Sequence, residues 1–345
     1  MKQEISIETS QKIKNMSLLS ALLVILIHIK WVGNDSGVVE LVYQIVRNGI
    51  CNIAVPYFFV VSGFFLARHF DEAGWYRLAV SKRIRTLLVP YILWSILTIL
   101  LFWGTDVVLV DLLAGNGVVI PSLQDILTGC ILMIGLDLTR MPRVFPFWFI
   151  RALLLLVLIS PLIKKALERF GKSFLIVLFV GSIAVTYIHA GPLRTLLEYG
   201  ISIHAAFYFT VGIYIARFKM SEESKVVNAC LCSLGVSLFV LRIVLSYIKP
   251  GYAGLLGAVS LPLILYLVWC CMLQTQLPVW LTSCAFPIYM MHLLFIHIYG
   301  PLVKRVPLGS WHILFCFAST FISCCVVAAL IRKMPKVAHV LYGNR

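Results

Sequence analysis

"SLLSALLVILIHIKW", residues 17–31, consists almost entirely of side chains that partition into hydrocarbon, with one histidine, His28, near its far end. A run of this length and hydropathy is typical of a membrane-spanning helix. An ionisable side chain inside such a span is costly, so it indicates a functional site. The stretch raises two questions: how the rest of the chain is organised, and what His28 does.

The composition of the whole chain is that of a membrane protein. Of its 345 residues 61% are hydrophobic and 12% are charged, and the mean hydropathy is +0.97. No small-residue cleavage site follows the first apolar run, so we interpret it as a retained span and not as a signal peptide. We predict an all-α polytopic protein, a bundle of about ten transmembrane helices forming one domain, residues 1–345. The predicted spans are 17–33, 49–67, 86–104, 146–163, 173–189, 200–216, 226–247, 253–273, 279–300 and 310–331.

The basic residues predict the orientation of the bundle. The net charge is +15, and most of the 29 Lys and Arg residues fall on every second connection between the predicted spans. This is the positive-inside pattern, and it predicts that both termini are cytoplasmic. The charge therefore reports contact with the bilayer, and we expect no nucleic-acid partner.

The longest connection, residues 104–145, is predicted to lie outside. Its stretch "SLQDILTGCILMIGLDL", residues 122–138, is apolar enough for an interfacial or re-entrant helix. Such a segment could act as a lid or recognise an acceptor. An amphipathic helix that simply lies on the membrane is the alternative.

A basic cluster precedes the third predicted span. Arg77, Lys82, Arg83 and Arg85 lie within nine positions. An arginine fork matches the geometry of a phosphate group, so the cluster is a candidate site for a phosphorylated ligand. Anchoring to phospholipid headgroups is the alternative, and position in the sequence does not decide between the two.

The ten cysteines do not predict a metal site. Nearly all fall within the predicted spans, and none forms a CxxC pair. We interpret them as small apolar packing residues.

Five segments follow one another along the chain: "VPYFFVVSGFFLARHF" (55–70), "SKRIRTLLVPYILW" (81–94), "PFWFIRALLLLVLISPLI" (146–163), "YFTVGIYIAR" (208–217) and "FPIYMMHLLFI" (286–296). In order and spacing they resemble the motifs of the acyltransferase 3 family of membrane acyltransferases. The resemblance covers nearly the whole chain. It implies transfer of an acyl group, usually acetyl, from cytoplasmic acyl-CoA to a hydroxyl. The implied acceptor is a cell-envelope saccharide or glycolipid, and the implied location is a bacterial cytoplasmic (inner) membrane.

The resemblance also implies the roles of particular residues. His28 matches the histidine of the family's first span, whereas Ser17 stands where the family carries an arginine eleven residues earlier. That arginine's role is therefore absent here, or it is supplied by Lys12 or Lys14. Arg83 keeps the first position of the family's basic run, and Arg85 substitutes for the second.

The chemistry of acyl transfer assigns these residues as follows. A neutral imidazole suits removal of a hydroxyl proton, so His28, expected about 18 Å from the cytoplasmic end of its helix, is the predicted base. Arg83, Arg85 and Lys82 are predicted to hold the phosphates of acyl-CoA. No nucleophile motif is evident, so we expect direct transfer without a covalent enzyme intermediate, and no metal cofactor.

Four further residues are predicted to bind the acceptor. Trp148 and Arg151 share a face of the fourth span, and Tyr289 and His292 share a face of the ninth. Arg151 meets an anionic acceptor group or pairs with a carboxylate such as that of Glu198. His292 orients His28, binds the acceptor, or only hydrogen-bonds within the bundle.

Two other functions remain open from the sequence. A solute or lipid-linked sugar transporter could use His28, Arg151 and His292 to line its pathway, although no inverted repeat of the kind many transporters carry is evident. The second alternative is a family member that has lost its catalytic activity. It is suggested by Ser17, which replaces the family's arginine.

Overall fold

The computed structural model describes residues 5–30, 37–105, 137–140, 142, 144–218, 225–248, 250–305 and 309–343. Most of the predicted loop helix at 122–138 lies outside these residues. The described part contains helices and connections and no strand. The α-helices are α1 (Ile7–His28), α2 (Val38–Asn48), α3 (Ala54–Ala67), α4 (Trp75–Arg83), α5 (Val89–Thr105), α6 (Trp148–Leu158), α7 (Ser160–Phe170), α8 (Lys172–Val185), α9 (Pro192–Thr195), α10 (Ile203–Arg217), α11 (Lys225–Ile248), α12 (Pro250–Cys271), α13 (Val279–Thr282), α14 (Ala285–Arg305), α15 (His312–Arg332) and α16 (Pro335–Tyr342).

The structure confirms a helical protein with several membrane spans. Within the described residues, seven helical segments are long and apolar enough to cross a membrane, or eight if one bent pair counts as a single span. Helices α5 and α8 coincide with two further predicted spans but are shorter, at 17 and 14 residues. The figure of about ten is therefore approximate, and the orientation of the termini stays a prediction.

Helix α1 begins ten residues earlier than predicted and ends at His28. The Ser6 hydroxyl caps its N-terminus by accepting from the Thr9 amide at 3.1 Å, and the backbone turns extended at Ile29. The helix bounds therefore differ from the predicted span of about 17–33, and the part of the helix that lies in the membrane stays a prediction. His28 lies about 32 Å along the axis from the first residue, at the far end of the helix and not partway along it.

Helices α3 and α10 pack closely through two glycines. A Cβ atom on Gly63 would lie 2.0 Å from the Phe209 carbonyl oxygen, and one on Gly212 would lie 1.9 Å from that of Val60. Small residues permit such backbone approach between membrane helices. The SG pair within "VPYFFVVSGFF" therefore marks a helix–helix contact.

The predicted span 146–163 is broken. Helix α6 ends at Leu158, and α7 departs from it at an angle of 64°. Pro161 explains the break, because a proline has no amide hydrogen for the helical ladder and its ring clashes with the carbonyl four residues earlier. The Ser160 hydroxyl donates instead to the Val157 carbonyl at 2.7 Å.

A wide π-helical turn, Ile84–Leu88, joins α4 to α5. Pro90, the second residue of α5, cannot donate to the carbonyl of Thr86, which removes one α-helical bond at this point. The turn falls inside the predicted phosphate-binding cluster. Arg85 is the member of that cluster that lies within the turn.

Candidate active site

A cavity of about 640 Å³ lies beneath α4, between α3, α6 and α14. Its walls are largely apolar, with Phe58, Phe149 and Phe286 among them. Lys82 and Arg83 line it beside His69 and Glu72, and because Lys82 is exposed to solvent we take this end as the entrance. The cavity therefore combines an apolar interior with a basic entrance, which suits a long ligand that is anionic at one end.

Arg83 is half-buried at this entrance. Burial lowers the pKa of its guanidinium from the ordinary value, yet an arginine stays charged at neutral pH. No carboxylate in the described part of the chain pairs with it, whereas the nearby Glu72 lies 3.0 Å from the His69 ring. A partly desolvated cation without a protein counter-ion favours an anionic ligand.

Arg85 does not join Lys82 and Arg83. It lines a separate groove on the other face of the segment, and its Nη2 donates to the Ser81 hydroxyl at 3.3 Å. The structure thus divides the predicted phosphate-binding set between two surfaces. Only Lys82 and Arg83 border the cavity.

His28 and His292 lie side by side, because α1 packs against α14. Their ring centroids are 5.1 Å apart. The Nδ1 atom of His292 lies 2.8 Å from the Tyr289 carbonyl oxygen, and a carbonyl only accepts, so Nδ1 carries the proton. The Nε2 atom of His292 is buried without a hydrogen-bond partner in the described part of the chain. It therefore offers a free lone pair next to His28.

Tyr289 connects the cavity to the histidine pair. Its side chain lines the cavity, and its ring centroid is 6.1 Å from that of His292. Its hydroxyl donates to the Pro146 carbonyl, which fixes the ring against the start of α6. Neither histidine itself lines the cavity. Tyr289 therefore borders the cavity on one side and the histidine pair on the other.

Ser17 lies at the inner part of the same cavity. Its hydroxyl donates to the Ile13 carbonyl at 2.7 Å and lies 3.3 Å from the Tyr57 hydroxyl. Lys12 does not supply the missing cation, because its Nζ lies 5.6 Å from the centre of the Trp269 ring and 3.4 Å from that residue's carbonyl. Lys14 is exposed and does not line the cavity.

Arg151 is held by backbone carbonyls. Its side chain is buried, and it donates to the carbonyls of Asp137 at 3.1 Å, Arg140 at 3.0 Å and Tyr199 at 3.4 Å. Glu198, the carboxylate suggested as its partner, is bonded to Arg194 at 2.9 Å instead. The pairing of Arg151 with Glu198 is therefore wrong, and its contact with an acceptor stays a prediction.

Several residues around His28 have no signal in the sequence. Arg47, on α2, donates from Nε to the Ile27 carbonyl at 2.9 Å, next to the histidine. The Phe145 ring is 6.0 Å from the His28 ring and 6.2 Å from that of Tyr199, which in turn lies 5.2 Å from the Trp148 ring. A row of aromatic rings thus leads from His28 to Trp148. These contacts join distant parts of the chain, so no local pattern indicates them.

The described residues contain no cluster of three or more His, Cys, Asp or Glu side chains that could hold a metal ion. The titratable groups that line the cavity are Lys82, Arg83, His69, Glu72 and Tyr289, and the histidine pair lies next to Tyr289. They can bind an anion at one end and exchange a proton at the other.

Comparison with known proteins places this geometry in a family. A family model for an acyltransferase domain, that of the acyltransferase 3 family, matches residues 13–329. This range contains both histidines, the basic entrance and every wall of the cavity named above. Comparisons with curated proteins and with solved structures found no match.

Proposed function

The chain belongs to the acyltransferase 3 family and is a multi-span membrane acyltransferase, and from this premise we propose that it moves an acetyl group from cytoplasmic acyl-CoA to a hydroxyl of a cell-envelope saccharide. One observation carries the proposal. A basic entrance, an apolar cavity, Tyr289 and the histidine pair follow one another in space. This order matches a donor with phosphates at one end and a thioester at the other.

Acyl-CoA, the donor, is bound at its phosphate end, which takes no part in the reaction. Arg83, half-buried and without a carboxylate partner in the described part of the chain, binds a phosphate group of acyl-CoA, and the more exposed Lys82 adds a second positive charge. The pantetheine arm then lies along the aromatic walls toward Tyr289. Binding of the phosphates is the same before and during the reaction, so these residues lower KM rather than raise kcat.

The chemistry takes place at His28. The acceptor hydroxyl oxygen attacks the thioester carbonyl carbon while a ring nitrogen of His28 takes the hydroxyl proton. The carbon–sulfur bond breaks, the new ester forms, and the thiolate of CoA leaves and takes up a proton. The lone pair on Nε2 of His292 stabilises the imidazolium as it forms, because that nitrogen accepts a hydrogen bond from a charged donor.

The acceptor approaches His28 from the side of the aromatic row. Phe145 is exposed and Trp148 is half-buried, and neither lines the cavity. Flat aromatic faces give a sugar ring a large apolar contact at low entropic cost. The donor and the acceptor therefore reach the histidine from different sides.

The test uses membranes from cells with and without the gene. Membranes that contain the protein should transfer label from acetyl-CoA labelled in the acetyl group to envelope material, and mass spectrometry of the glycans should show an acetyl increment. Membranes with His28→Ala at equal protein level are the matched control and should not. A solute transporter would move substrate across vesicles without consuming acetyl-CoA, and that result would overturn the proposal.

A further inference from the structure

Two arginines, one on α4 and one on the π-helical turn that follows it, line a groove that the proposed reaction does not use. The groove has a volume of about 410 Å³, and Arg77 and Arg85 both line it. Ser81 lies between them, four residues from each, so the three side chains follow one face of the segment. The groove is thus separate from the cavity that Lys82 and Arg83 border.

The charge of this groove is positive. Both arginines are exposed, and no carboxylate lines the groove in the described part of the chain. The nearest carboxylates in sequence are engaged elsewhere, Asp71 with Arg217 at 2.6 Å and Glu72 with His69 at 3.0 Å. Two guanidinium forks and a hydroxyl are the donors that a phosphate group prefers.

The remaining surface of the groove is apolar. Val80 and Ile84 line it, and Ile84 is exposed. At its edge the Tyr76 hydroxyl donates to the Leu158 carbonyl at 2.9 Å, and Leu158 is itself exposed at the bend between α6 and α7. A phosphate site that continues into exposed apolar side chains fits an amphiphile better than a soluble anion.

The position of the groove agrees with such a ligand. It lies at the start of the apolar helix α5, whose first residue follows the π-helical turn directly. A basic surface at that point faces the headgroup layer of a bilayer. We propose that the groove binds the headgroup phosphate of an anionic phospholipid, with Arg77 and Arg85 as donors and an acyl chain lying over Ile84 and Leu158.

The test measures lipid retention in the full-length protein. The protein, purified in a neutral detergent, is titrated with phosphatidylglycerol or with phosphatidylcholine of the same acyl chains, and native mass spectrometry gives the lipid-bound fraction. The wild-type protein should prefer phosphatidylglycerol. Each of Arg77→Gln and Arg85→Gln should weaken that preference about fivefold, and the double variant about 25-fold.

A charge-matched control separates a site from general attraction. The variant Lys333→Gln/Lys336→Gln also removes two exposed positive charges, and it should keep the preference. The pair Arg77→Lys/Arg85→Lys, which retains charge, should keep part of it, and equal melting temperatures without lipid exclude misfolding. Equal loss in the Lys333/Lys336 control, or no loss in the Arg77/Arg85 variant, would overturn the proposal. So would glycerol phosphate competing as strongly as the intact lipid, because the ligand would then be a soluble phosphate.

Discussion

The cavity beneath α4 and the histidine pair at the end of α1 differ in how they are built, although Tyr289 touches both. The cavity is open, with aromatic walls and positive charge at its entrance. Neither histidine lines this cavity. His292 is buried, and one of its ring nitrogens is fixed by a backbone carbonyl.

This difference indicates a division of work within one site. An open, charged entrance suits binding of a ligand's unreacting end, which lowers KM without changing kcat. A packed pair of imidazoles, in which the tautomer of His292 is fixed, suits a proton transfer. Loss of a proton transfer changes kcat. Variants of the two regions should therefore separate the two kinetic constants.

The largest effect is expected at His28. The variant His28→Ala should lower kcat by about 10²- to 10⁴-fold, because it removes the group that takes the hydroxyl proton. The measurement is the initial rate of acetyl transfer in membranes at saturating acetyl-CoA. The melting temperature and the dissociation constant for CoA should be nearly unchanged. A variant that retains most of the wild-type rate would remove His28 from the chemistry.

A smaller effect, on binding alone, is expected at Arg83. Arg83→Ala should raise KM for acetyl-CoA by about 10- to 150-fold, the value of a charge-assisted hydrogen bond, with kcat preserved. Arg85→Ala is the matched control, because Arg85 belongs to the same segment but lines the other groove. Equal rises in KM for both variants would mean that the two surfaces act on the donor together.

Substitution of His292 should lower kcat, as substitution of His28 does, but by a smaller factor. His292→Asn keeps a donor near the Tyr289 carbonyl but removes the Nε2 lone pair, and we expect kcat to fall about tenfold with KM for acetyl-CoA unchanged. His292→Gln, whose side chain places a polar group near the Nε2 position, should recover part of the rate. A change in KM alone would assign His292 to substrate binding.

The smallest effect is expected at Tyr289, where the two regions meet. Tyr289→Phe removes the hydrogen bond to the Pro146 carbonyl and should lower the free energy of unfolding by about 0.5–1.5 kcal/mol. Thermal unfolding in detergent measures this, and kcat and KM should change little. A fall in kcat as large as that of His28→Ala would show that the Tyr289 hydroxyl takes part in the reaction, and the comparison of two separate regions would fail.

Several features of the molecule follow from the sequence alone. The helical membrane class follows from the apolar runs, because transfer of a long apolar helix into a bilayer depends on local composition. The order of five motifs indicated the family, which the match over residues 13–329 confirms. Two of these motifs contain Arg83 and His292 and the first predicted span contains His28, which made them candidates because ionisable side chains are rare within or at the ends of spans.

The tertiary structure decided which of these residues meet. His28 and His292 are far apart in the chain and come together only because α1 packs against α14. Arg83 and Arg85, two residues apart on a helical segment, lie on different sides of it, and the packing of the helices decides that the side of Arg83 borders the cavity. A local pattern reports the preference of a segment for the membrane. Contacts between segments depend instead on how whole helices pack, which is why Arg47, Phe145 and Tyr199 became visible only in the folded chain.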